Sequence, residues 1–171
     1  VDPVTGDDIT EPGVPGELRI AGPTVFAGYL NPETRANPFD EQGYLRTGDI
    51  FEIAGDQDQF LHYLDRAKDL IIRGGMNIAP AELEGLIGHH PAVVDVAVVG
   101  DPDERLGETV AAVVTLAPGA TLTLTELTDF LRTKRIASYK LPERLEIRDD
   151  LPRNPVGKIL KRDLRRGAAS S

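Results

Sequence analysis

Two valine-rich apolar runs constrain the fold of this chain more than any other feature. They are VVDVAVVG at residues 93–100 and VAAVVTL at residues 110–116. Both have the length of a strand and are rich in a β-branched residue, so each predicts a buried strand. The polar segment DPDERLGE between them predicts a loop.

Helical signals stand on both sides of these strands. Pro80 predicts the start of a helix, because the first turn does not need its missing N–H. Thr123, with Glu126 three residues later, is a capping-box pattern that predicts a second helix. Apolar residues at helical spacing predict one inward face on each helix: Leu83, Leu86 and Ile87 on the first, and Leu124, Leu127 and Leu131 on the second.

Short elements complete this part of the chain. DLIIR at residues 69–73 predicts a strand, Gly74-Gly75 predicts a hairpin turn in which positive φ costs little, and RLEI at residues 144–147 predicts a last strand. The order strand, helix, strand, strand, helix, strand predicts a small α+β domain over residues 69–171, with a short hairpin, a small sheet and a basic tail.

The first 64 residues have a different pattern, with many turn residues and almost no helical signal. They predict strands at Glu17–Ile20 and at TVFAGYL (24–30), and a hairpin of YLRTGDIFEI with FLHYL across the polar turn AGDQDQ. NPETRAN (31–37) predicts one helical turn, with Asn31 as its cap. We therefore expect a β-rich part over residues 1–64 and a change of architecture at about residue 65.

Composition excludes several classes of site. The chain has 171 residues and no cysteine, which excludes disulfides and thiolate metal sites and fits a cytoplasmic location. His62, His89 and His90 lack the spacing of zinc ligands, so we expect no metal site. The adjacent histidines before Pro91 instead predict a helix C-terminus. No apolar run approaches the length of a membrane span.

Charge is distributed unevenly along the chain. Residues 1–130 carry 7 Lys and Arg against 23 Asp and Glu, whereas residues 131–171 carry 12 against 5. A basic tail on an acidic body indicates either an anionic ligand at that end or a solvated basic face. A nucleic-acid partner is not expected, because the segment from residue 131 onward offers only Tyr139 for base stacking.

Three segments that occur in order carry the most specific functional signal. They are GYLRTGD (43–49), DRAKDLIIRGGMNIAPAELE (65–84) and LPRNPVGKILKRDLR (151–165). Together they resemble the last three signature segments of the adenylate-forming superfamily, which includes acyl-CoA synthetases, carrier-protein adenylation domains and luciferase. GELRIAGPTVFAGYLNPE (16–33) is similar to the stretch that precedes them there, so the resemblance covers about residues 13 to 166.

The resemblance implies a domain organisation and a reaction. In that family a large N-terminal domain binds ATP and the acid, and a small C-terminal lid swings over it. Residues 1–64 would end the large domain, residues 65–68 would be the hinge, and residues 69–171 would be the lid. The implied substrates are a carboxylic acid, ATP and coenzyme A, with Mg²⁺ accompanying ATP but no ligand for it identified in this chain. The fragment alone should be inactive.

The resemblance also assigns roles near the junction. Asp49 would hold the ribose hydroxyls of the nucleotide; the alternative is an Asp that caps the turn of Gly48. Arg66 would reach ribose or phosphate oxygens with its planar fork of donors; the alternative is a surface pair with a neighbouring Asp. Lys68 falls at the family's hinge position, where a charged side chain can stay solvated while the backbone changes conformation.

Four further positions in the last 103 residues match family sites. Gly74 and Gly75 would line the path of the pantetheine thiol, where side chains would obstruct it. Asn77 would contact the nucleotide in the same conformation, the one in which the thiol attacks. Lys158 would be the catalytic lysine of adenylation, placing its ammonium between the carboxylate and the α-phosphate. Val156 stands where the family usually has Ser or Thr, so a hydroxyl contact there is not expected.

Three functional hypotheses follow. The first is an ATP-dependent acyl-CoA synthetase, because GGMNIAPAELE and PRNPVGKIL are most similar to fatty-acid and related CoA ligases. The second is an adenylating enzyme that transfers the acyl group to the phosphopantetheine of a carrier protein. The third is a non-enzymatic module whose basic tail binds RNA or an acidic partner.

Overall fold

The computed structural model describes residues 1–3, 5–30, 37–55 and 60–165. The chain divides into two compact units, Val1–Lys68 and Asp69–Ser171. The helical turn predicted with Asn31 as its cap, and most of the predicted AGDQDQ turn, lie outside the described residues. None of the described helices is both long enough and apolar enough to span a membrane.

The first unit contains a three-stranded antiparallel sheet in the order β1-β2-β3. Its strands are β1 (Gly16–Ile20), β2 (Leu45–Ala54) and β3 (Phe60–Arg66). The predicted β2–β3 hairpin is therefore confirmed, as is the short strand near Glu17. The strand predicted at residues 24–30 is wrong. That segment forms bends and turns, with glycines at φ +147° and +148° on either side of Phe26, and Leu30 is fully exposed.

The second unit is built on a five-stranded sheet. Its strands are β4 (Ile71–Arg73), β5 (Met76–Ile78), β6 (Val93–Asp103), β7 (Gly107–Leu116) and β8 (Arg144–Ile147), and its helices are α1 (Pro80–Ile87) and α2 (Leu124–Thr133). The antiparallel path runs β5-β4-β7-β6, and β8 pairs parallel with β7. Short 3₁₀ helices cover Ala67–Asp69, Ser138–Lys140 and Lys161–Leu164. The α+β class predicted from the sequence is confirmed.

The β6–β7 hairpin is buried on both faces. Successive side chains in a strand point to opposite faces, so the valine-rich runs divide between two cores. On one face, Val98 and Val110 pack with apolar residues of α1 and α2, including Leu83 and Leu127. On the other face, the core contains Ala97, Val99, Ala111, Val113, Leu151 and Leu164. This burial explains why neither run alternates between apolar and polar residues.

The C-terminal segment packs over the second face of the β6–β7 hairpin. Leu151 and Leu164 are almost completely buried there, and Ile159 packs against them. The basic tail is thus anchored to the sheet by an apolar side, which its charge pattern did not indicate. Residues 152–158 lie between these anchors and form a loop.

Both predicted helices are present. Pro80 occupies the first turn of α1, and the two histidines follow the helix end, with the His89 N–H donating to Leu86 O at 3.1 Å. Thr123 and Glu126 form the predicted capping box of α2. The hydroxyl and N–H of Thr123 donate to the Glu126 carboxylate and lower its pKa. Of the leucines predicted to face inward, Leu124 is only half-buried.

The predicted loop at residues 101–108 is much shorter than expected. β6 extends to Asp103 and β7 begins at Gly107, so only residues 104–106 connect them. The Asp103 carboxylate accepts the N–H groups of Leu106 and Arg105, which lowers its pKa and closes a tight turn. Asp101, which looked like a loop residue, is buried against the Arg144 guanidinium at 2.5 Å.

The capping box gives a test of the second unit. Thr123→Ala removes the side-chain acceptor of the Glu126 N–H and should destabilise α2 by about 1 kcal/mol, which is about a fivefold faster exchange of its protected amides. Hydrogen exchange followed by mass spectrometry measures this. Thr125→Ala removes an exposed hydroxyl from the same helix and should change the stability by less than about 0.5 kcal/mol. Equal losses in both variants would contradict a role for the cap.

Candidate functional site

Asp49 and Arg66 form an ion pair across the first sheet. They are register partners on β2 and β3, and Arg66 Nε lies 2.9 Å from Asp49 Oδ1. The alternative partner predicted for Arg66 was a neighbouring Asp. Instead, the Asp65 carboxylate accepts the Arg66 backbone N–H, and the guanidinium turns to Asp49. Two of the predicted nucleotide-binding residues are therefore in contact.

The alternative prediction, an Asp that caps the turn of Gly48, places Asp49 in a turn, and the structure differs from it. Asp49 lies within β2, directly after Gly48, whose φ is +72°. The register of β2 against β1 shifts next to this point, and such irregularities redirect side chains. Buried Glu17 holds the irregular backbone by accepting the Gly48 N–H at 3.0 Å and pairing with Arg46. Glu17 was not identified from the sequence, where it reads as an ordinary strand residue.

The Asp49 carboxylate is partly exposed and can accept a ligand hydroxyl. Its side chain is 28% exposed, while Oδ1 itself is buried 2.9 Å from Arg66 Nε and accepts no well-directed hydrogen bond from the described residues. An ionised carboxylate has more acceptor sites than this contact uses, so it can also accept a hydrogen bond from an O–H group. This chemistry fits the ribose hydroxyls that the sequence resemblance implies.

Lys68 is the last residue of the first compact unit. It is an exposed residue in the short 3₁₀ helix Ala67–Asp69, and the division between the two units falls directly after it. Its exposed position suits a residue whose backbone changes conformation.

The glycine pair forms the turn of the β4–β5 hairpin. Gly74 and Gly75 both have positive φ, +57° and +82°, which strains any other residue. The Gly74 N–H donates to Leu106 O at 2.7 Å, so this turn is attached to the β6–β7 turn. Asn77 is exposed on β5, opposite Ile72. These three predicted residues lie on one hairpin.

Lys158 lies at the end of a tightly closed loop. The Asn154 side-chain oxygen accepts the Lys158 N–H at 2.8 Å, and the Asn154 N–H donates to Lys158 O at 2.9 Å. Gly157 has φ +85°, which allows the chain to turn immediately before the lysine. Lys158 itself is exposed, and its ammonium has no ion-pair partner within residues 60–165. The loop therefore presents a cation on a constrained backbone.

The structure separates Lys158 from the glycine turn. The Lys158 loop is attached to Asp95, near the start of β6, through Arg153. Gly74 is attached to Leu106, beyond the other end of β6. Eight residue steps from Asp95 to Asp103 span about 26 Å of extended strand. The two groups of predicted residues in the second unit thus lie at opposite ends of the same strand.

Ion pairs account for much of the basic tail. Within residues 60–165, five cations of the tail pair with carboxylates of residues 82–108: Lys140 with Glu82, Arg144 with Asp101, Arg153 with Asp95, Lys161 with Glu84, and Arg165 with Glu108. The sequence pattern suggested an anion site or a solvated face for the tail, and neither interpretation included these ion pairs. These tail cations are used within their own domain, which weakens the hypothesis of a basic module for RNA or an acidic partner.

The described residues contain no group of three or more His, Asp or Glu side chains placed to hold a metal ion. Several acidic residues of the second unit instead bind cations and backbone N–H groups, as Glu84 illustrates. Its carboxylate accepts the Val98 N–H at 2.7 Å and pairs with Lys161 at 2.8 Å.

Comparison with known proteins identifies the family. Residues 82–158 match the model of the AMP-binding enzyme C-terminal domain. Over 166 residues, or 96% of its length, the chain is 43% identical to 4-coumarate–CoA ligase 2 from Nicotiana tabacum. The chain belongs to the adenylate-forming superfamily. A long-chain-fatty-acid–CoA ligase from Escherichia coli O157:H7 is 40% identical over 159 residues, which are 93% of this chain.

This adenylate-forming chain corresponds to the C-terminal part of its relatives. It spans 30% of the tobacco ligase and 28% of the E. coli ligase. The fold agrees with that of the ATP-bound MatB from Rhodopseudomonas palustris, with a TM-score of 0.82 at 39% identity over 96% of this chain and 32% of that protein. The membership predicted from the three ordered segments is confirmed.

The Asp49 carboxylate gives a test of the first unit. If Asp49 binds the ribose hydroxyls, as the resemblance implies, Asp49→Asn removes the charge that strengthens these hydrogen bonds, and the KM for ATP should rise about 10-fold or more in the intact enzyme. Glu52→Gln is the matched control, because Glu52 lies on the same strand and pairs with His62. An unchanged KM in Asp49→Asn, or an equal rise in both variants, would exclude Asp49 from nucleotide binding.

Proposed function

We propose that this chain is the C-terminal portion of an ATP-dependent acid–CoA ligase. In the first half-reaction, a carboxylate oxygen attacks the α-phosphate of ATP, giving an acyl adenylate and releasing pyrophosphate. In the second, the thiol of coenzyme A loses its proton and attacks the acyl carbon, giving the thioester and releasing AMP. The observation that carries this proposal is the exposed Lys158 ammonium on its closed loop, in a chain from a family of adenylating enzymes.

Lys158 serves the first half-reaction. Its ammonium contacts both the carboxylate and the α-phosphate, which orients the nucleophile and offsets the charge that develops on the phosphoryl oxygens. The ammonium has no ion-pair partner within residues 60–165, so it need not break a salt bridge to reach the substrates. The loop hydrogen bonds fix its backbone before the substrates bind.

Asp49 and Arg66 bind the nucleotide. The Asp49 carboxylate accepts a ribose hydroxyl, and the adjacent guanidinium donates to ribose or phosphate oxygens. When the nucleotide binds, Asp49 and Arg66 therefore exchange part of their contact with each other for contacts with the nucleotide. Mg²⁺ would accompany ATP and reduce the charge on its phosphates, and we assign no residue of this chain to it.

The glycine turn serves the second half-reaction. Gly74 and Gly75 have no side chain to obstruct the thiol, and open space surrounds the Cβ position of Gly75. Asn77, on the same hairpin, contacts the nucleotide in this state. Lys68 is the hinge about which residues 69–171 reorient between the two half-reactions, and residues 65–68 form the segment that changes conformation.

The identity of the acid is not specified by this chain. The two relatives named above act on 4-coumarate and on long-chain fatty acids, yet they are 43% and 40% identical to it. Such similar values for chemically different acids support an acid pocket outside this part of the enzyme. The 171 residues alone should be inactive, and a cytosolic location stays a prediction.

Lys158 and Lys68 should affect different half-reactions in the intact enzyme. Lys158→Ala should slow acyl-adenylate formation by about 100- to 1000-fold, because it removes a charge that acts in the transition state. It should leave thioester formation from supplied acyl adenylate intact. Lys68→Pro should do the reverse, because a fixed φ at the hinge blocks the change of conformation. Pyrophosphate exchange and a thioester assay measure the two steps.

Arg162→Ala is the control for Lys158, because Arg162 is an exposed cation of the same segment that pairs only with the adjacent Asp163 among the described residues. It should leave both steps within about twofold of the unsubstituted enzyme. Equal loss of both half-reactions in Lys158→Ala and in Lys68→Pro would refute this division of roles.

The thiol acceptor is tested separately. With acyl adenylate supplied, the intact enzyme should form a thioester with free coenzyme A, as expected of a relative of CoA ligases. The assay offers free coenzyme A and a phosphopantetheinylated carrier protein in parallel. A thioester found only on the carrier protein would replace coenzyme A in the proposal, while leaving the adenylation step unchanged.

A further inference from the structure

We propose that Arg153 is a positioning residue that sets the orientation of the peptide unit preceding Lys158, an inference that rests on the proposed role of Lys158 in adenylation. Arg153 lies at the base of the loop and faces Ile159 in an isolated antiparallel bridge. Its guanidinium has two different partners. One terminal nitrogen, Nη1, donates to Gly157 O at 2.6 Å, and the other, Nη2, pairs with the Asp95 carboxylate.

The Gly157 carbonyl is the important acceptor. It belongs to the peptide unit that joins Gly157 to Lys158, so its direction sets the direction of the lysine N–H and the position of the lysine Cα. Gly157 has φ +85°, and a Cβ added at this position would meet no atom within 4 Å, so side-chain packing does not restrain it. A donor on this carbonyl therefore adds a restraint to those that the loop hydrogen bonds supply.

Asp95 connects this donor to the sheet. Asp95 Oδ1 accepts the Val96 N–H at 3.0 Å, and the other carboxylate oxygen pairs with Arg153. The register of β6 against β7 shifts between Val93 and Asp95, an irregularity of the kind that redirects side chains. From Asp95 to the end of β6 the pairing is regular. The connection thus runs from a rigid strand, through two side chains, to the peptide bond before Lys158.

The remaining contacts of the loop are internal. The Asn154 side chain accepts the N–H groups of Val156 and Lys158, and the Gly157 N–H donates to Asn154 O. These bonds determine the shape of the loop but do not attach its tip to the sheet. Among the described residues, Arg153 supplies the side-chain connection between the Gly157 carbonyl and β6.

The chemistry of arginine suits this role. A guanidinium presents several donors in a fixed plane, so it can hold a carboxylate and a carbonyl in one geometry, whereas an ammonium is a point charge on a flexible stem. The Arg153 and Asp95 side chains are 40% and 31% exposed. Pairs this exposed contribute little to stability. The effect of losing Arg153 should therefore appear in the adenylation rate.

The test is a double-mutant cycle in the intact enzyme, with Arg153→Met, Lys158→Ala and both together. Arg153→Met should lower kcat for pyrophosphate exchange about 10- to 100-fold, with the KM for ATP within about twofold, because a misplaced catalytic group costs rate. Thioester formation from supplied acyl adenylate should not change. In the Lys158→Ala background, Arg153→Met should have no further effect, because it acts only through Lys158.

Two further variants separate positioning from folding. Arg153→Lys should restore less than half of the lost kcat, and Asp95→Asn should lower kcat in the same direction as Arg153→Met but less. Arg148→Met, which removes a cation that pairs with Glu146, is the matched control and should leave both half-reactions within about twofold. A lid that failed to fold would lose both half-reactions in Arg153→Met while Asp95→Asn stayed normal, and this result would overturn the proposal.

The outcomes also distinguish this inference from the proposed function. If Lys158→Ala abolishes adenylation but Arg153→Met does not slow it, the positioning role alone is wrong. An equal fold-loss from Arg153→Met with and without Lys158 would also overturn it, because Arg153 would then act independently. If Lys158→Ala leaves adenylation unchanged, the proposed function of Lys158 fails, and the positioning role fails with it.

Discussion

The double-sided burial of the β6–β7 hairpin is the constraint on which the rest of the second unit depends. Ten residue pairings join the two strands, nine of them consecutive after one register shift. Their alternate side chains pack in two separate cores, one under the helices and one under the C-terminal segment. Because the second core holds Leu151 and Leu164, the loop that carries Lys158 has an apolar anchor on each side. Packing of the sheet thus determines where the candidate catalytic loop begins and ends.

Most charged side chains of the C-terminal tail form ion pairs within the second unit, whereas the Lys158 ammonium is exposed. The acidic body and basic tail read from the sequence meet in five ion pairs across residues 82–165. Exposed pairs of this kind are individually weak, but Arg144 and Asp101 are largely buried, and either charge alone would be costly to bury. Lys158, by contrast, is exposed on a loop held by hydrogen bonds to the side chain and backbone of Asn154. Much of the basic charge of the tail is therefore used within its own domain.

Sequence patterns predicted the parts of this structure that depend on local rules. The capping box of α2, Pro80 at the start of α1 and the glycine hairpin were predicted because each reflects a requirement of a few consecutive residues. The predicted strand at residues 24–30 was wrong, since a strand also needs a partner that local sequence does not reveal. The pairings of Asp49 with Arg66 and of Arg153 with Asp95 join residues 17 and 58 positions apart. Only the fold brings such residues together, although Asp49, Arg66 and Arg153 all lie within the segments that carry the family resemblance.

The separation of the candidate residues along β6 gives a physical reason for a hinge. Gly74 is attached beyond one end of this strand and the Lys158 loop near the other, about 26 Å away. A sheet packed on both faces does not bend enough to bring its two ends to the same point. If adenylation needs Lys158 at the nucleotide and thioester formation needs the glycine turn beside it, then loop motion alone is insufficient. In the proposed mechanism the whole second unit then reorients, and the backbone around Lys68, where the compact units divide, is the proposed hinge.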